Sequence, residues 1–211
     1  MEAYILMTLE FSAFLVSWLY FNSLRKRGMV LIPVLLTLVA VSEAVGWLTA
    51  RGMLSSIHNG VWYNIMTPVK FICIFLLFRD NTRSAFWKYV IWCFIGFTLV
   101  LLALYIFQSL SKTFNTLYYT IQAAMVACCC LHYLYECMNS NAVADVEKNP
   151  LFYLAMGTLL FYLGTLPLRS MYNYLYDHHR AVFWGYRRLS MFLNYIMYGL
   201  ILFGILWAKK K

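Results

Sequence analysis

Three side chains lie where hydrocarbon is expected: Glu10, Glu43 and Lys70 each sit inside a long run of apolar residues. An ionised group near the middle of a membrane span costs roughly 2.5 to 3.5 kcal/mol on insertion scales, so such groups turn toward other helices and find partners there. Glu43 lies in Ser42-Glu43-Ala44-Val45-Gly46-Trp47, and Lys70 closes Trp62-Tyr63-Asn64-Ile65-Met66-Thr67-Pro68-Val69-Lys70. The two are expected to face each other inside a helical bundle, with Glu10 as a second carboxylate. Asn64, Thr67 and Lys70 recur every three residues and read as a polar wall on one helix side, and Asn194 shares a face with Tyr198. Two roles fit this set. It can be a charge pair that only locks helix packing, or the lining of a pocket or path for an ion or polar solute.

A second group belongs to the rim. Thr158, Tyr162, Thr165 and Arg169 follow helical spacing, and Asp177, His178 and His179 form the centre of a Tyr-rich stretch, 170–186, that reads as the longest loop. Tyr and Trp favour the headgroup zone, so this loop is an interfacial amphipathic segment or a lid whose histidines titrate near neutral pH. His132 and Glu136, four apart, can touch on one face. A metal needs more ligands than these two, and His58, His178 and His179 are expected on the opposite side, so no metal is assigned. Cys73, Cys93, Cys128, Cys129, Cys130 and Cys137 all fall in or at the ends of apolar runs and read as packing residues, with neither disulfide nor metal spacing.

The elements that must position these residues are transmembrane helices. Of 211 residues, 63% are hydrophobic and 12% charged, well away from the soluble balance. Seven spans are expected, at about 3–21, 29–49, 61–78, 87–109, 115–137, 150–169 and 189–208, each near the roughly 20 residues that cross a bilayer. Helices are the form that satisfies every backbone group within lipid. The expected fold is therefore an all-α, integral membrane, seven-helix transmembrane bundle, one domain over 1–211. The start, Met1-Glu2-Ala3-Tyr4, lacks a basic n-region, so the first run is expected to stay as a span. Pro33 is tolerable within a first turn, Asn149 followed by Pro150 reads as a helix start, and Pro167 is expected to break or bend the sixth span. Gly157 and Gly164 can admit a close neighbour. The fourth span, apolar all round apart from Thr98, reads as a lipid-facing scaffold.

Lys and Arg set the orientation. Ten lie on the side of the first, third and fifth loops and the tail, counting Lys148 and Lys209 to Lys211, against six opposite, which include Arg51, Lys112 and Arg169. The positive-inside rule then puts the amino terminus outside and the carboxyl terminus in the cytoplasm. The formal charge of +9 arises from these end groups, so nucleic acid is excluded as a partner in favour of the lipid bilayer. No nucleophile elbow, HExxH or Gly-rich phosphate loop is present, so no enzyme, catalytic residue or cofactor is assigned. The seventh span has no lysine for a retinal Schiff base, and no internal repeat aligns the prolines of two halves.

Glu43 and Gly46 followed by Tyr63-Asn64, with Asn149-Pro150-Leu151-Phe152-Tyr153 running to Leu163-Gly164-Thr165-Leu166-Pro167, resemble a set of uncharacterised bacterial multi-pass membrane proteins of about this length. The resemblance implies a bacterial inner membrane and carries no activity. The expected function is a receptor-like sensory module, with an outward-facing polar pocket of Glu10, Glu43, Asn64, Thr67, Lys70 and Asn194 and a separate cytoplasmic signalling partner. The alternative is a small ion or solute transporter or channel using Glu10, Glu43 and Lys70, with a homo-oligomer as a further way to build a pore.

Overall fold

A computed structural model describes residues 2–53, 58–107, 114–139 and 149–207; within them the side chains of residues 2, 3, 168, 170, 172, 173 and 177 are not described. The described chain folds into helices: α1 (Glu2–Leu19), α2 (Phe21–Lys26), α3 (Leu31–Ala50), α4 (Asn59–Asn81), α5 (Ala85–Phe107), α6 (Thr116–Met138), α7 (Pro150–Ser170), α8 (Tyr172–His178) and α9 (Arg180–Trp207). Six of them, α3, α4, α5, α6, α7 and α9, are long and apolar enough to cross a membrane, and α1 is a shorter apolar helix. The all-α membrane bundle read from the sequence is the fold observed.

Local chemistry accounts for the helix ends. After α2, Gly28 takes φ 73°, its amide donates to the Arg25 carbonyl and the Met29 amide donates to the Leu24 carbonyl. After α3 the pattern repeats at Gly52 (φ 74°), with Met53 donating to Leu48. Both are glycine-terminated ends in which a left-handed residue caps the last orphan carbonyls. Pro33 lies in the first turn of α3, as expected. At the start of α7, Asn149 Oδ1 accepts from the Leu151 amide at 2.9 Å with Pro150 at the first helical position, and at the start of α6 Asn115 caps the Tyr118 amide. The polar stretch expected between the fifth and sixth spans, with Lys148, lies outside the described residues, as do Lys112 and the terminal lysines.

Two prolines sit inside helices, and one expectation about elements, the loop over 170–186, needs correction. Pro68 and Pro167 lie inside α4 and α7, and both helices continue past them, α7 by three residues. Pro167, exposed on its helix, does not end it. The stretch 170–186 is not a loop. It is α8 and the first two turns of α9, with Leu175, Phe183 and Tyr186 buried along it, so the last helix begins nine residues earlier than expected.

Packing contacts close α1, α3, α4, α6, α7 and α9 into a ring in that order, with α9 returning to α1; α5 lies outside it, against α4 and, less extensively, α6. The scaffold role expected for the fourth span is the position α5 holds. α7 and α9 approach most tightly. A Cβ added to Gly157 would stand 3.1 Å from the backbone of Met197, and one added to Gly164 would overlap the Leu193 side chain. The two glycines let α9 approach α7 closely, with Met197 backbone against Gly157 and the Leu193 side chain over Gly164. Toward the end of the ring that holds Asn81, Met138 and Asn149, the centre is filled by fully buried side chains, among them Phe75, Leu77, Phe78, Cys130 and Leu151.

Candidate ligand pocket

At the opposite end the ring is hollow. A cavity of about 530 Å³ reaches from Asn59, the exposed first residue of α4, into the centre of the bundle. All six ring helices contribute to it. Glu10 comes from α1, Glu43 from α3, Thr67 and Lys70 from α4, Tyr119 from α6, Thr158 and Arg169 from α7, and Ser190 and Asn194 from α9. Five of the six residues expected in a pocket line this one space. Its floor is apolar: Leu35, Leu36, Ile74, Leu154 and Ile201. Counting 1.5 Å per residue, Glu43 lies about 10 Å and Leu35 about 22 Å below the end of α3, so the charges occupy the middle and the hydrocarbon the bottom.

Glu43 and Lys70 face the same cavity from α3 and α4 without forming an ion pair. Among the described residues the ion pairs are Arg79 with Asp80 and His132 with Glu136. The Glu43 carboxylate instead accepts from the Tyr63 hydroxyl at 3.1 Å, and Lys70 Nζ donates to Ser42 Oγ at 3.2 Å. Ser42 is fully buried and its carbonyl accepts from Trp62 Nε1, so α3 and α4 are stitched by neutral bonds on either side of the charges. Glu10, 6% exposed, lines the same space as Tyr198. Arg169 stands with its guanidinium 4.7 Å from the Tyr119 ring centroid and 5.4 Å from that of Phe114. It is part of the cavity wall as well as of the rim.

Asn64 is the expected pocket residue that lies elsewhere. It is buried, and its Oδ1 accepts from the Asn115 amide at 2.9 Å, tying α4 to the start of α6. The reason is angular. At about 100° per residue, the six steps from Asn64 to Lys70 leave the two about 120° apart, whereas the seven steps from Tyr63 return to within about 20°. Tyr63, Thr67, Lys70 and Ile74 are therefore the cavity face of α4. Tyr63 and Tyr198 were missed as site residues, although Tyr198 was visible as the face partner of Asn194.

The rim histidines do not enter the cavity. His178 stacks on Tyr174 with centroids 4.7 Å apart and lies 3.1 Å from its carbonyl, and His179 packs obliquely on the same ring. Both are exposed on the α8 to α9 turn, and the side chain of Asp177 is outside the described residues. A lid closed by these histidines does not follow from this geometry; helix formation through 172–178 has turned them outward. At the other end of the ring the His132 and Glu136 contact is present at 3.0 Å. Glu136 also accepts from Thr82 Oγ1 and from the amides of Arg83 and Ser84, and Trp87 stacks on His132 at 4.1 Å. This carboxylate caps the start of α5. Among the described residues no group of three or more His, Cys, Asp or Glu side chains could hold a metal ion. The cysteines are free; Cys128 is exposed, while Cys129 and Cys130 are buried.

Fold and site together define an integral membrane protein whose helical ring encloses a charged cavity. No protein-family model matches the chain, and neither a curated protein nor a solved structure is significantly similar to it.

Proposed function

We propose that this protein is a receptor-like membrane module that binds a small polar ligand in the ring cavity and passes the bound state to a separate cytoplasmic partner. The observation that carries this reading is the end of the cavity at an apolar floor. Past Leu36, Ile74 and Leu154 the bundle is filled by Phe75, Phe78 and Leu151, each at most 1% exposed. A conduction path needs polar groups through the full depth of the membrane, and a pocket does not. Placing the amino terminus outside, as the Lys and Arg distribution favours, opens the pocket to the exterior and leaves the basic end of α2, Arg25 and Lys26 with Arg27, for the partner. α3 and α4 each carry cavity residues and run on to that cytoplasmic end, so a ligand that shifts them has a mechanical route to it.

The test is flux. Purified protein in proteoliposomes should release neither protons, common cations nor anions above the level of empty vesicles. Flux that vanishes in Glu43→Gln would overturn the pocket reading and establish the transporter alternative.

A further inference from the structure

Buried charges normally lie in contact with an opposite charge, because an isolated ion in a poorly solvated place is costly. Glu10 and Glu43 come from neighbouring helices, α1 and α3, and share one void with Lys70 of α4. Among the described residues, no carboxylate oxygen of either glutamate lies within 4.0 Å of Lys70 Nζ. Lys70 is engaged elsewhere: its Nζ donates to Ser42 Oγ at 3.2 Å and lies 5.9 Å from the centroid of the Tyr63 ring, whose hydroxyl donates to Glu43. The three charges form one group. Glu43 is the charge that acts most strongly on Glu10, ahead of Lys70, and both glutamates act on Lys70 more strongly than Arg169 does. Arg169 belongs to another part of the wall, with its guanidinium against the Tyr119 and Phe114 rings. Two carboxylates and one ammonium leave one negative charge over where α1 and α3 meet the cavity.

We infer that this wall binds the cationic head of an organic amine, placed between Glu10 and Glu43, with the apolar body of the ligand on the floor of Leu35, Leu36, Ile74 and Leu154. This names the ligand class of the proposed pocket and rests on that reading. A carboxylate has about four acceptor positions and an ammonium three donors, so the two glutamates can take every donor of a ligand amine even with Tyr63 bonded to Glu43. Hydrogen bonds between ionised partners are also the stronger kind. An acid group in the same place would meet two carboxylates, and like charges repel most where water is scarce. The apolar floor lies deeper than the charges, so the body enters first and the amine follows it down to Glu43. The mouth is at Asn59, the exposed first residue of α4, and all six ring helices line the space, so the ligand arrives from water along the ring axis. A volume of about 530 Å³ falls in the range of small-molecule sites, roughly 300 to 1,000 Å³.

Calorimetric titration of the full chain in nanodiscs, corrected for uptake by empty nanodiscs, tests the charge with three probes that share one body: phenylbutylamine, phenylbutanol and phenylbutyrate, all with the ring at the chain end. The amine should bind at least tenfold more tightly than the alcohol, and the acid more weakly than either. Glu10→Gln and Glu43→Gln should each reduce the advantage of the amine over the alcohol to less than threefold. Should the variants fail to fold, the three probes on the unaltered chain decide alone. Alcohol binding as tight as that of the amine would mean that a proton, rather than a ligand cation, compensates the second carboxylate, and it overturns the inference while leaving a ligand pocket in place. Tighter binding of the acid overturns it as well, and so does binding of none of the three by a chain that passes no flux. Flux that vanishes in Glu43→Gln removes the pocket reading on which the inference stands.

Discussion

At Gly46 a missing methyl group decides where a carboxylate points. A Cβ built there would overlap the Tyr63 hydroxyl oxygen, so Gly46→Ala must push the Tyr63 ring away from Glu43. Tyr63→Phe removes the same donor directly. Each change leaves the Glu43 carboxylate without that hydrogen bond, and losing a bond to a charged group costs about 1.5 to 3 kcal/mol. Because both act on one contact, the effects should not add: Gly46→Ala should cost clearly less in a Tyr63→Phe background than in the native chain. Equilibrium unfolding of the four proteins in mixed micelles gives this cycle, and strict additivity would sever Gly46 from Glu43. The same residues show what was legible in the sequence. A charged or polar side chain inside an apolar run is unmistakable, so Glu10, Glu43, Lys70, Thr67, Asn194 and Arg169 are all legible in the sequence. What sequence spacing could not supply was contact. A pair on facing helices can be separated by a void, and Tyr63 and Ser42 read as unremarkable beside a lysine and a glutamate. Asn64 was drawn into the pocket because its three-residue rhythm with Lys70 looked like a stripe, while over six steps the helix had turned it to α6.

Helix ends explain most of what the elements do, and α5 depends on one residue of another helix for its start. Glu136 on α6 accepts from the Arg83 and Ser84 amides at 3.0 Å each and from the Thr82 hydroxyl at 2.8 Å. A carboxylate at a helix N-terminus satisfies orphan amides and opposes the helix dipole favourably. Glu136→Ala should therefore destabilise the bundle by about 2 to 3 kcal/mol, the upper range for removing a charged cap, and Glu136→Gln, which keeps one acceptor oxygen, by about half that. Hydrogen exchange locates the effect: amides at 83–88 should lose protection in both variants while those of α7 and α9 keep theirs. Uniform loss would mean that Glu136 supports the whole bundle rather than the α5 start. Sequence patterns read the elements well where a cap is local, as at Asn149-Pro150, where donor and acceptor are two residues apart. They failed at 170–186, where tyrosines, histidines and arginines looked like loop composition. Burial of Leu175, Phe183 and Tyr186 there comes from packing after folding, which no local propensity reports.

The whole molecule is a ring that is hollow at one end and solid at the other, and this asymmetry makes opposite predictions for the two faces. Take a chain whose six native cysteines are replaced, and restore a single thiol either at Asn194 on the cavity wall or at Phe75 in the filled half. A membrane-impermeant maleimide needs a water-filled approach to reach either. Asn194→Cys should label readily from one face of the membrane alone, and Phe75→Cys from neither, because Phe75 is 0% exposed among close-packed side chains. The reactive face also fixes sidedness. With the amino terminus outside, label added to intact cells should modify Asn194→Cys, and label confined to the interior of inverted vesicles should do the same. Reaction only from the cytoplasmic face would reverse the orientation that the Lys and Arg count favours, and with it the direction of any signal. Labelling of Asn194→Cys from both faces would mean that water traverses the bundle past Leu36 and Ile74, and the receptor-like reading would give way to a transport path. The outward-facing pocket is legible in the sequence, but the closing of the ring is not, because α9 returns to α1 through contacts between residues more than a hundred positions apart.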